Sequence, residues 1–479
     1  MNVDPVAAIL LIPALAAALL AALPGYGLTA RLNVIAALAT FLVALSLFFT
    51  RPSPGLYLHV DDLNNVFVVL TTFVGFTTSV FSASYIAHEL ETGRLTPAFL
   101  RFYHAMYQVL MFAMNLALVA NNIGLMWVAI ELATLTTVLM VGIYRTHEAL
   151  EAAWKYFILG SVGIALALFG TILVYMAARP VIGEGLDAMV WTTLVKRAAE
   201  FDPALLDVAF VFLLLGYGTK VGLAPLHAWL PDAHAEGPTP ISAVLSGLLL
   251  NVALYALLRF KMLLAVNPNA VAPGPLMVTV GLISLVFAAF MLYRRRDIKR
   301  MFAYSSIEHM GIITFAFGMG GPLANFAGLL HMTMHSLTKS AIFFAVGHIA
   351  QVKGTQQIAN MGGLTATHAV LGWGLVLGVV AIAGLPPLGI FMSEFLVVTS
   401  TFAREPWLAI VLVFGILIGV AALFLRLNSI AFGEPRGINA EAKASYVPMF
   451  AHLALVFAAG IYMPPALVAW FQNVAKLLG

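Results

Sequence analysis

The chain has 479 residues, of which 62% are hydrophobic and 9% charged, with a formal charge of +3 and a mean hydropathy of +0.98. Soluble domains carry roughly 25% charged residues, so this composition predicts a membrane protein. The small net charge gives no indication of nucleic-acid binding. Because the sequence contains no cysteine, thiolate-bound zinc, iron–sulfur clusters and cysteine catalysis are excluded within this chain.

The hydrophobic pattern predicts an all-α polytopic membrane protein with about fourteen transmembrane helices, since a helix needs about 20 apolar residues to cross a bilayer. The longer link 178–206 mixes apolar and charged residues and is typical of a helix on the membrane surface. The predicted spans lie near 6–24, 30–50, 65–85, 104–121, 123–144, 155–177, 207–230, 240–261, 273–293, 301–320, 324–349, 367–401, 406–428 and 447–473.

The distribution of lysine and arginine predicts the orientation of the chain in a bacterial or archaeal inner membrane. With both termini outside, the inward loops hold about thirteen of these residues and the outward loops about seven. The largest contribution comes from one loop, 294–300, with five basic residues. We therefore expect this loop in the cytoplasm.

Two of the predicted spans are interrupted by proline and glycine at corresponding places. The seventh reads GLAPL at 222–226, and the twelfth reads GLPPL at 384–388. The two spans are five apart, so equivalent helices would cross the membrane in opposite directions. Such interruptions are typical of inverted repeats with discontinuous helices 7 and 12, as in secondary transporters.

Four of the ionisable side chains inside predicted spans stand out, because they lie near the middle of a span or beside a helix break. Each costs about 2.5–3.5 kcal/mol near the bilayer centre and therefore indicates a function, although a buried ion pair that joins helices is the alternative for each. Two of the four lie beside the helix breaks, which favours proton translocation. The four are Glu131, Lys220, Lys339 and Glu394.

Histidines accompany these charges. His331 and His335 recur with Lys339 at intervals of four residues, so the three share one helix face. Histidine titrates near neutral pH and can pass protons. Two histidines four residues apart can also bind a metal, but no carboxylate completes such a site at helical spacing, and we predict none.

Four further residues are candidates for the same pathway. His227 follows the first break, and Glu308 precedes His309 in the tenth span. Lys155 opens the sixth span, where it either extends to the interface or takes part in a relay. A purely structural hydrogen-bonding role remains the alternative for His227.

Four segments of the sequence together resemble the antiporter-like subunits of respiratory complex I, which are related to cation/proton antiporter subunits and membrane-bound hydrogenases. The resemblance covers residues 65–430. Within the family, the Glu308-His309 pair and Asn251 are most similar to hydrogenase-4 component F and related formate hydrogenlyase subunits. The four segments are PLHAWLPDAHAEGPTPISAVLSGLLL, DIKRMFAYSSIEHMG, HMTMHSLTKS and GLPPLGIFMSEF.

This resemblance implies a division of the chain into four parts. Three N-terminal helices occupy 1–103, and a first inverted repeat of helices 4–8 occupies 104–261. A second inverted repeat of helices 9–13 occupies 273–428. The C-terminal loop and helix 14 occupy 429–479.

The resemblance also implies residue roles. Glu131 matches the family's fifth-helix glutamate and Lys220 its seventh-helix lysine. His335 and Lys339 match the central relay of helix eleven, and Glu394 the terminal residue of helix twelve.

Asn251 departs from the family pattern, because many relatives carry a relay lysine at this position. The departure interrupts a continuous chain of lysines. Water, or the pair Glu308 and His309, would have to cover the gap.

These observations predict a proton-translocating subunit of a redox-driven complex similar to hydrogenase-4 or formate hydrogenlyase. We expect no cofactor and no catalytic centre in the chain itself. The expected partners are other membrane subunits, peripheral nickel–iron hydrogenase-like and iron–sulfur subunits, lipid, and protons or sodium. The alternatives are a subunit of a sodium–proton antiporter, of complex I or of an inorganic-carbon uptake system, or a structural subunit that no longer conducts.

Overall fold

The computed structural model describes residues 4–441 and 445–479, and within them 81% of the structure is helix with no strand. The prediction of an all-α membrane protein is confirmed. The helices of the described residues that correspond to the fourteen predicted spans are Pro5–Ala22, Tyr26–Ser46, Asp62–Glu91, Pro97–Val119, Ile123–Val141, His147–Ile182, Pro203–Val221 with Trp229–Glu236, Thr239–Ala265, Gly274–Leu292, Ile298–Met319, Gly321–Lys353, Ala369–Ile382 with Gly389–Arg404, Pro406–Leu427, and Val447–Ile461 with Pro465–Leu477.

Not all of these helices are apolar along their whole length. In the described residues, ten single helices are long and apolar enough to cross a membrane, or eleven with the bent pair at the C-terminus. The other three spans are the tenth, the eleventh and the interrupted twelfth. The tenth and eleventh are almost entirely buried by their neighbours, so their polar side chains face protein and not lipid.

Both predicted interruptions are present. The first half of span seven ends at Gly222, whose φ of +80° is left-handed and suits glycine. The chain resumes its helix at Trp229. In span twelve the break falls between Ile382 and Gly389. These breaks leave helix ends with free backbone groups inside the bundle.

The spans pack in a similar order in the two halves of the bundle. The fifth packs on the sixth and the sixth on the seventh; likewise, the tenth packs on the eleventh and the eleventh on the twelfth. This order fits two repeats of five helices. The boundaries of the four parts stay a prediction.

Loops on each side of the bundle pair with one another. On one side Leu58 pairs with Ala120 and Asn122 with Val190, and Asp4 lies beside the loop 52–60. The Gly479 carbonyl accepts a hydrogen bond from Gly321 N at 3.0 Å, at the start of the eleventh span. Asp4 therefore lies beside the loop that joins the second and third spans, and Gly479 lies beside the start of the eleventh. Which side faces the cytoplasm stays a prediction.

The last span differs from the sequence prediction of one continuous segment, 447–473. Two helices form it, and they meet at an angle of 83°. Pro464, immediately before the second helix, accounts for the interruption because proline disrupts helix continuation.

In the link 178–206 the structure shows the short helix Trp191–Arg197.

A buried ion pair joins the third span to the eighth. The Arg259 guanidinium donates to both carboxylate oxygens of Asp61 at 2.6 and 2.8 Å and lies over the rings of Trp191 and Tyr255. Asp61 caps the third span from outside the helix. Burial raises the pKa of Asp61, but the Arg259 charge together with the hydrogen bonds that the Asp61 carboxylate accepts outweighs it and holds this pKa well below its usual range.

Candidate functional site

The first group of buried charges is the pair Glu131 and Lys220. Lys220 Nζ lies 3.5 Å from Glu131 Oε2 and donates to Thr134 Oγ1 at 2.8 Å. The Lys220 side chain is 2% exposed and that of Glu131 is 19% exposed. Gly160 of the sixth span makes room for the ammonium, since a Cβ there would lie 3.0 Å from Nζ.

The position of Lys220 in its helix explains how a cation is held there. It lies in the last turn before the break, where the carbonyl end of the helix favours positive charge. Burial disfavours the ammonium, and the Glu131 carboxylate favours it. The protonation of Lys220 therefore depends on whether Glu131 is close and charged.

The second group brings together side chains of the tenth, eleventh and twelfth spans. His309 Nδ1 lies 2.9 Å from His331 Nε2 and 3.9 Å from Glu394 Oε1. Ser393 Oγ lies 3.0 Å from His331 Nδ1. The ring centroids of His309 and His335 are 5.7 Å apart. Histidines and a carboxylate from three helices thus form one connected, buried set.

Lys339 and Glu308 lie beside this second group. Lys339 Nζ donates to the Phe302 carbonyl at 2.9 Å, and no carboxylate of the described chain pairs with it within 4.0 Å. Glu308 interacts electrostatically with both Lys339 and Glu394. Its Oε2 is buried without a hydrogen-bond partner. The Lys339 amine and the Glu308 carboxyl can each take up or release a proton.

Asn251 contacts the eleventh span from the eighth. Its Nδ2 donates to Ser336 Oγ at 2.6 Å, next to His335, while its Oδ1 is buried without a partner. Asn251 therefore contacts the helix that carries His331, His335 and Lys339. It can orient a neighbour by hydrogen bonding, but it cannot carry a proton as a charge.

Two candidate residues are not joined to either group. The His227 ring packs on Phe287 at 4.7 Å, and its Nδ1 has no partner. Lys155 is 48% exposed and pairs with Glu151 and with Asp232, at 2.7 and 3.3 Å. No hydrogen bond or ion pair of the described residues connects Lys155 with Lys220. The roles of both candidates stay predictions.

Sequence reasoning missed His234, which lies in the short half-helix after the first break. Both ring nitrogens are buried without a partner, and the ring stacks on Phe343 of the eleventh span at 4.8 Å. Electrostatic interactions reach Lys299 and Lys339. Its position three residues after Pro231 in an interrupted span was a usable signal, since buried polar groups near helix breaks mark functional sites.

Lys299 is a second missed residue and has a structural role at the same half-helix. Its fully buried ammonium donates to the carbonyls of Ala235 and Gly237 at 3.0 and 2.7 Å. These carbonyls end the short helix that carries His234. Lys299 thus satisfies backbone groups that the break leaves free.

Three side chains of the second group carry atoms of the kinds that can bind a metal ion. Donor atoms of His309, His331 and Glu394 all lie within 4.8 Å of one another. Spacing along a single helix provides no carboxylate for such a site, so the sequence pattern predicts none. In the structure the carboxylate comes from a different span.

The fold and these two groups define a polytopic membrane protein with ionisable residues inside an interrupted helical bundle. The model of the NADH:quinone oxidoreductase/Mrp antiporter transmembrane family matches residues 120–419, and the chain belongs to this family. The resemblance predicted from the sequence is confirmed. The chain is 64% identical to a hydrogenase-4 component F homolog of Methylacidiphilum infernorum over 98% of this chain and 99% of that protein.

More distant relatives include an antiporter protein and chains of respiratory complexes. The chain is 26% identical to an Na(+)/H(+) antiporter subunit of Bacillus subtilis, over 87% of this chain and 83% of the relative. A chain of an archaeal respiratory complex, the membrane-bound sulfane sulfur reductase, shares the fold with a TM-score of 0.88 and 23% identity, covering 99% and 97% of the two chains. A chain of respiratory complex I from Thermus thermophilus gives 0.81 and 23%, covering 99% and 100%.

Proposed function

We propose that this chain is a proton-translocating membrane subunit of a redox-driven complex of the hydrogenase-4 or formate hydrogenlyase kind. The observation that carries the proposal is the contact of Lys220 with Glu131 inside the bundle, 3.5 Å apart beside a helix break. A buried lysine with one carboxylate partner can hold or release a proton when that partner moves. The 64% identity to a hydrogenase-4 component F homolog supports this kind of complex.

The energetic requirement on this pair is modest. A proton that crosses the membrane against the potential gains about 2.3 kcal/mol per 100 mV. A change of one pKa unit in a donor corresponds to about 1.36 kcal/mol. A difference of about two pKa units in the proton donor therefore matches one proton moved against 100 mV, and we propose that withdrawal and return of the Glu131 charge provide this difference at Lys220.

The second group provides the other half of the proposed pathway. His309, His331, His335 and Lys339 lie on two adjacent helices and Glu394 on a third. His234 lies on the half-helix that follows the first break, its ring stacks on Phe343 of the eleventh span, and it interacts electrostatically with Lys339. We place it in the path as the residue that bridges Lys220 and Lys339.

The other subunits of the complex supply the energy for proton translocation. Under this proposal the energy comes from electron transfer in peripheral subunits, and other membrane subunits transmit it to Glu131. We also propose that both termini face outward and that the basic loop 294–300 faces the cytoplasm of a bacterial or archaeal cell.

The likeness to an Na(+)/H(+) antiporter protein favours one second candidate, a subunit that exchanges sodium for protons without redox partners. Purification of the native complex separates the two. Copurification of nickel–iron and iron–sulfur proteins supports the first proposal, and their absence together with sodium-dependent proton movement supports the second.

The variant Lys220→Ala tests proton translocation. In vesicles that contain the assembled complex, we expect it to reduce proton uptake at least about tenfold, because the central proton carrier is lost. Lys196→Ala is the matched control, since Lys196 is exposed on the short helix Trp191–Arg197. A native gel establishes assembly. Normal uptake by an assembled Lys220→Ala complex would contradict the proposal.

A further inference from the structure

The arrangement of His309, His331 and Glu394 fits a metal ion as well as a proton. The two imidazole nitrogens are 2.9 Å apart, and the carboxylate oxygen is 3.9 Å from the first of them. Tetrahedral zinc with bonds of about 2.0–2.1 Å needs neighbouring donor atoms about 3.3 Å apart. These two separations lie on either side of this value and all three donor atoms lie within 4.8 Å of one another, so a closer approach of the Glu394 carboxylate completes the coordination geometry.

The environment of His331 fixes the form of the ring that binds metal. The Ser393 hydroxyl donates to the Ile390 carbonyl at 2.8 Å, so its oxygen accepts from His331 Nδ1 at 3.0 Å. The proton is therefore on Nδ1, and the lone pair of Nε2 points toward His309. Histidine ligands of metals are typically held in this way by an outer hydrogen bond.

The charge around the site also suits a divalent cation. Glu394 supplies one carboxyl group to the site, and Glu308, which interacts with it electrostatically, supplies a second one nearby. One oxygen of Glu308 is buried without any hydrogen-bond partner. Two carboxylates neutralise a doubly charged ion, which removes much of the cost of placing that ion in a membrane protein's interior.

We propose that His309, His331 and Glu394 form a binding site for Zn²⁺ or a similar transition-metal ion, with Glu308 as the residue that balances its charge. Imidazole together with a carboxylate is a ligand set that suits zinc. Magnesium and calcium favour sites made of oxygen atoms only. Sodium is a hard cation as well, so this ligand set selects against it.

A Zn²⁺ ion at this site affects proton translocation. This consequence rests on the proposed function. A bound Zn²⁺ holds three side chains of the second group and occupies the lone pairs that would carry protons. Zinc is then a reversible inhibitor of proton translocation.

Direct binding tests the site independently of transport. The full chain in its purified native complex, stripped of metal with a chelator, is titrated with Co²⁺ as a spectroscopic probe and with Zn²⁺ as competitor. We expect the strong visible bands of four-coordinate cobalt with one equivalent bound, and their loss on addition of zinc. His331→Gln should abolish these bands, and Ser393→Ala should weaken zinc binding about 10–100-fold.

His335→Gln is the matched control for binding, because it removes a neighbouring buried histidine that lies outside the three-residue set. We expect it to bind cobalt and zinc as the unchanged protein does. Equal binding by the unchanged protein and His331→Gln, or no four-coordinate cobalt in the unchanged protein, overturns the site. Ser393→Ala keeps the test valid if His331→Gln fails to fold.

Transport measurements separate the site from its inhibitory role. We expect micromolar Zn²⁺ to reduce proton uptake in the unchanged complex, a chelator to restore it, and Ser393→Ala to need more zinc. Binding without inhibition would support the site and contradict both the inhibition and the place of these three residues in the proton path. Inhibition that Ser393→Ala leaves unchanged would indicate a different zinc site and overturn this assignment.

Discussion

Lys220 and Glu131 lie on different spans, and their charged atoms are 3.5 Å apart inside the bundle. Thr134, one turn from Glu131 on the same helix, accepts a hydrogen bond from the lysine at 2.8 Å. The ammonium therefore has one charged and one neutral partner on a single helix. A small shift of that helix alters both contacts together, which makes the pair suitable for a switch.

The first prediction concerns this coupling. Glu131→Gln removes the charge that favours the ammonium, so we expect slower pumping and a pH dependence shifted toward lower pH. Glu131→Asp should be milder, because the charge remains but lies one methylene further away. In the double variant Glu131→Gln/Lys220→Ala, the two effects should not add, since the glutamate then has no lysine to act on.

The measurement is proton uptake per assembled complex against pH for both single variants and the double variant. If the ion pair only holds the helices together, each single variant should lose assembled protein and the losses should combine additively. Additive losses that follow protein abundance would contradict the switch.

Asn251 provides a second prediction. Asn251→Lys places an ammonium next to Ser336 and close to His335, so we expect a changed proton flux in a folded complex. Asn251→Met is the control, because methionine has a similar length but no charge. Identical flux and pH dependence in Asn251→Lys and the unchanged complex would place this position outside the path.

His234 provides a third. If it bridges the two groups, His234→Gln should lower proton uptake about tenfold or more, because glutamine does not titrate in this range. His348→Gln is the control, since His348 is an equally buried histidine on the eleventh span whose ring packs on Phe81. Assembly is measured on a native gel for both. Equal uptake by the two variants would remove His234 from the path.

A fourth prediction concerns stability. Asp61→Asn leaves the Arg259 guanidinium buried without its charge partner, which we expect to cost about 3–5 kcal/mol. Asp62→Asn is the matched control, because Asp62 pairs with the half-exposed Arg51 and such surface pairs contribute about 0–1 kcal/mol. Thermal unfolding in detergent measures both. Equal midpoints for the two variants would contradict a structural role of the buried pair.

The pH dependence of this effect follows from the low pKa of Asp61 in the folded state. A carboxyl with a depressed pKa contributes its stabilisation fully above the unfolded value of about 3.9 and loses it as pH falls further. The difference between the unchanged protein and Asp61→Asn should therefore be constant from about pH 5 to about pH 8. A difference that declines within that window would contradict the assignment.

The sequence by itself determined the class of protein, the approximate positions of the helices and most of the charged candidate residues. Composition alone indicates a membrane protein, because a bilayer requires long apolar helices, and the two Pro-Gly interruptions mark where helices break. Glu131 and Lys220 could be singled out one by one, since each is costly in a membrane. Their contact could not be derived from spacing, because they lie on different spans.

Only the tertiary structure decided which residues meet. Helical spacing predicts neighbours on one helix, whereas Glu394 reaches His309 and His331 across three spans. The same limit applies to His234, whose place shortly after Pro231 is visible in the sequence but whose burial against Phe343 is not. Spacing also could not show that the Lys155 side chain is half exposed and pairs with Glu151 and Asp232. Packing between helices depends on the shapes and positions of whole spans, and local sequence patterns do not contain that information.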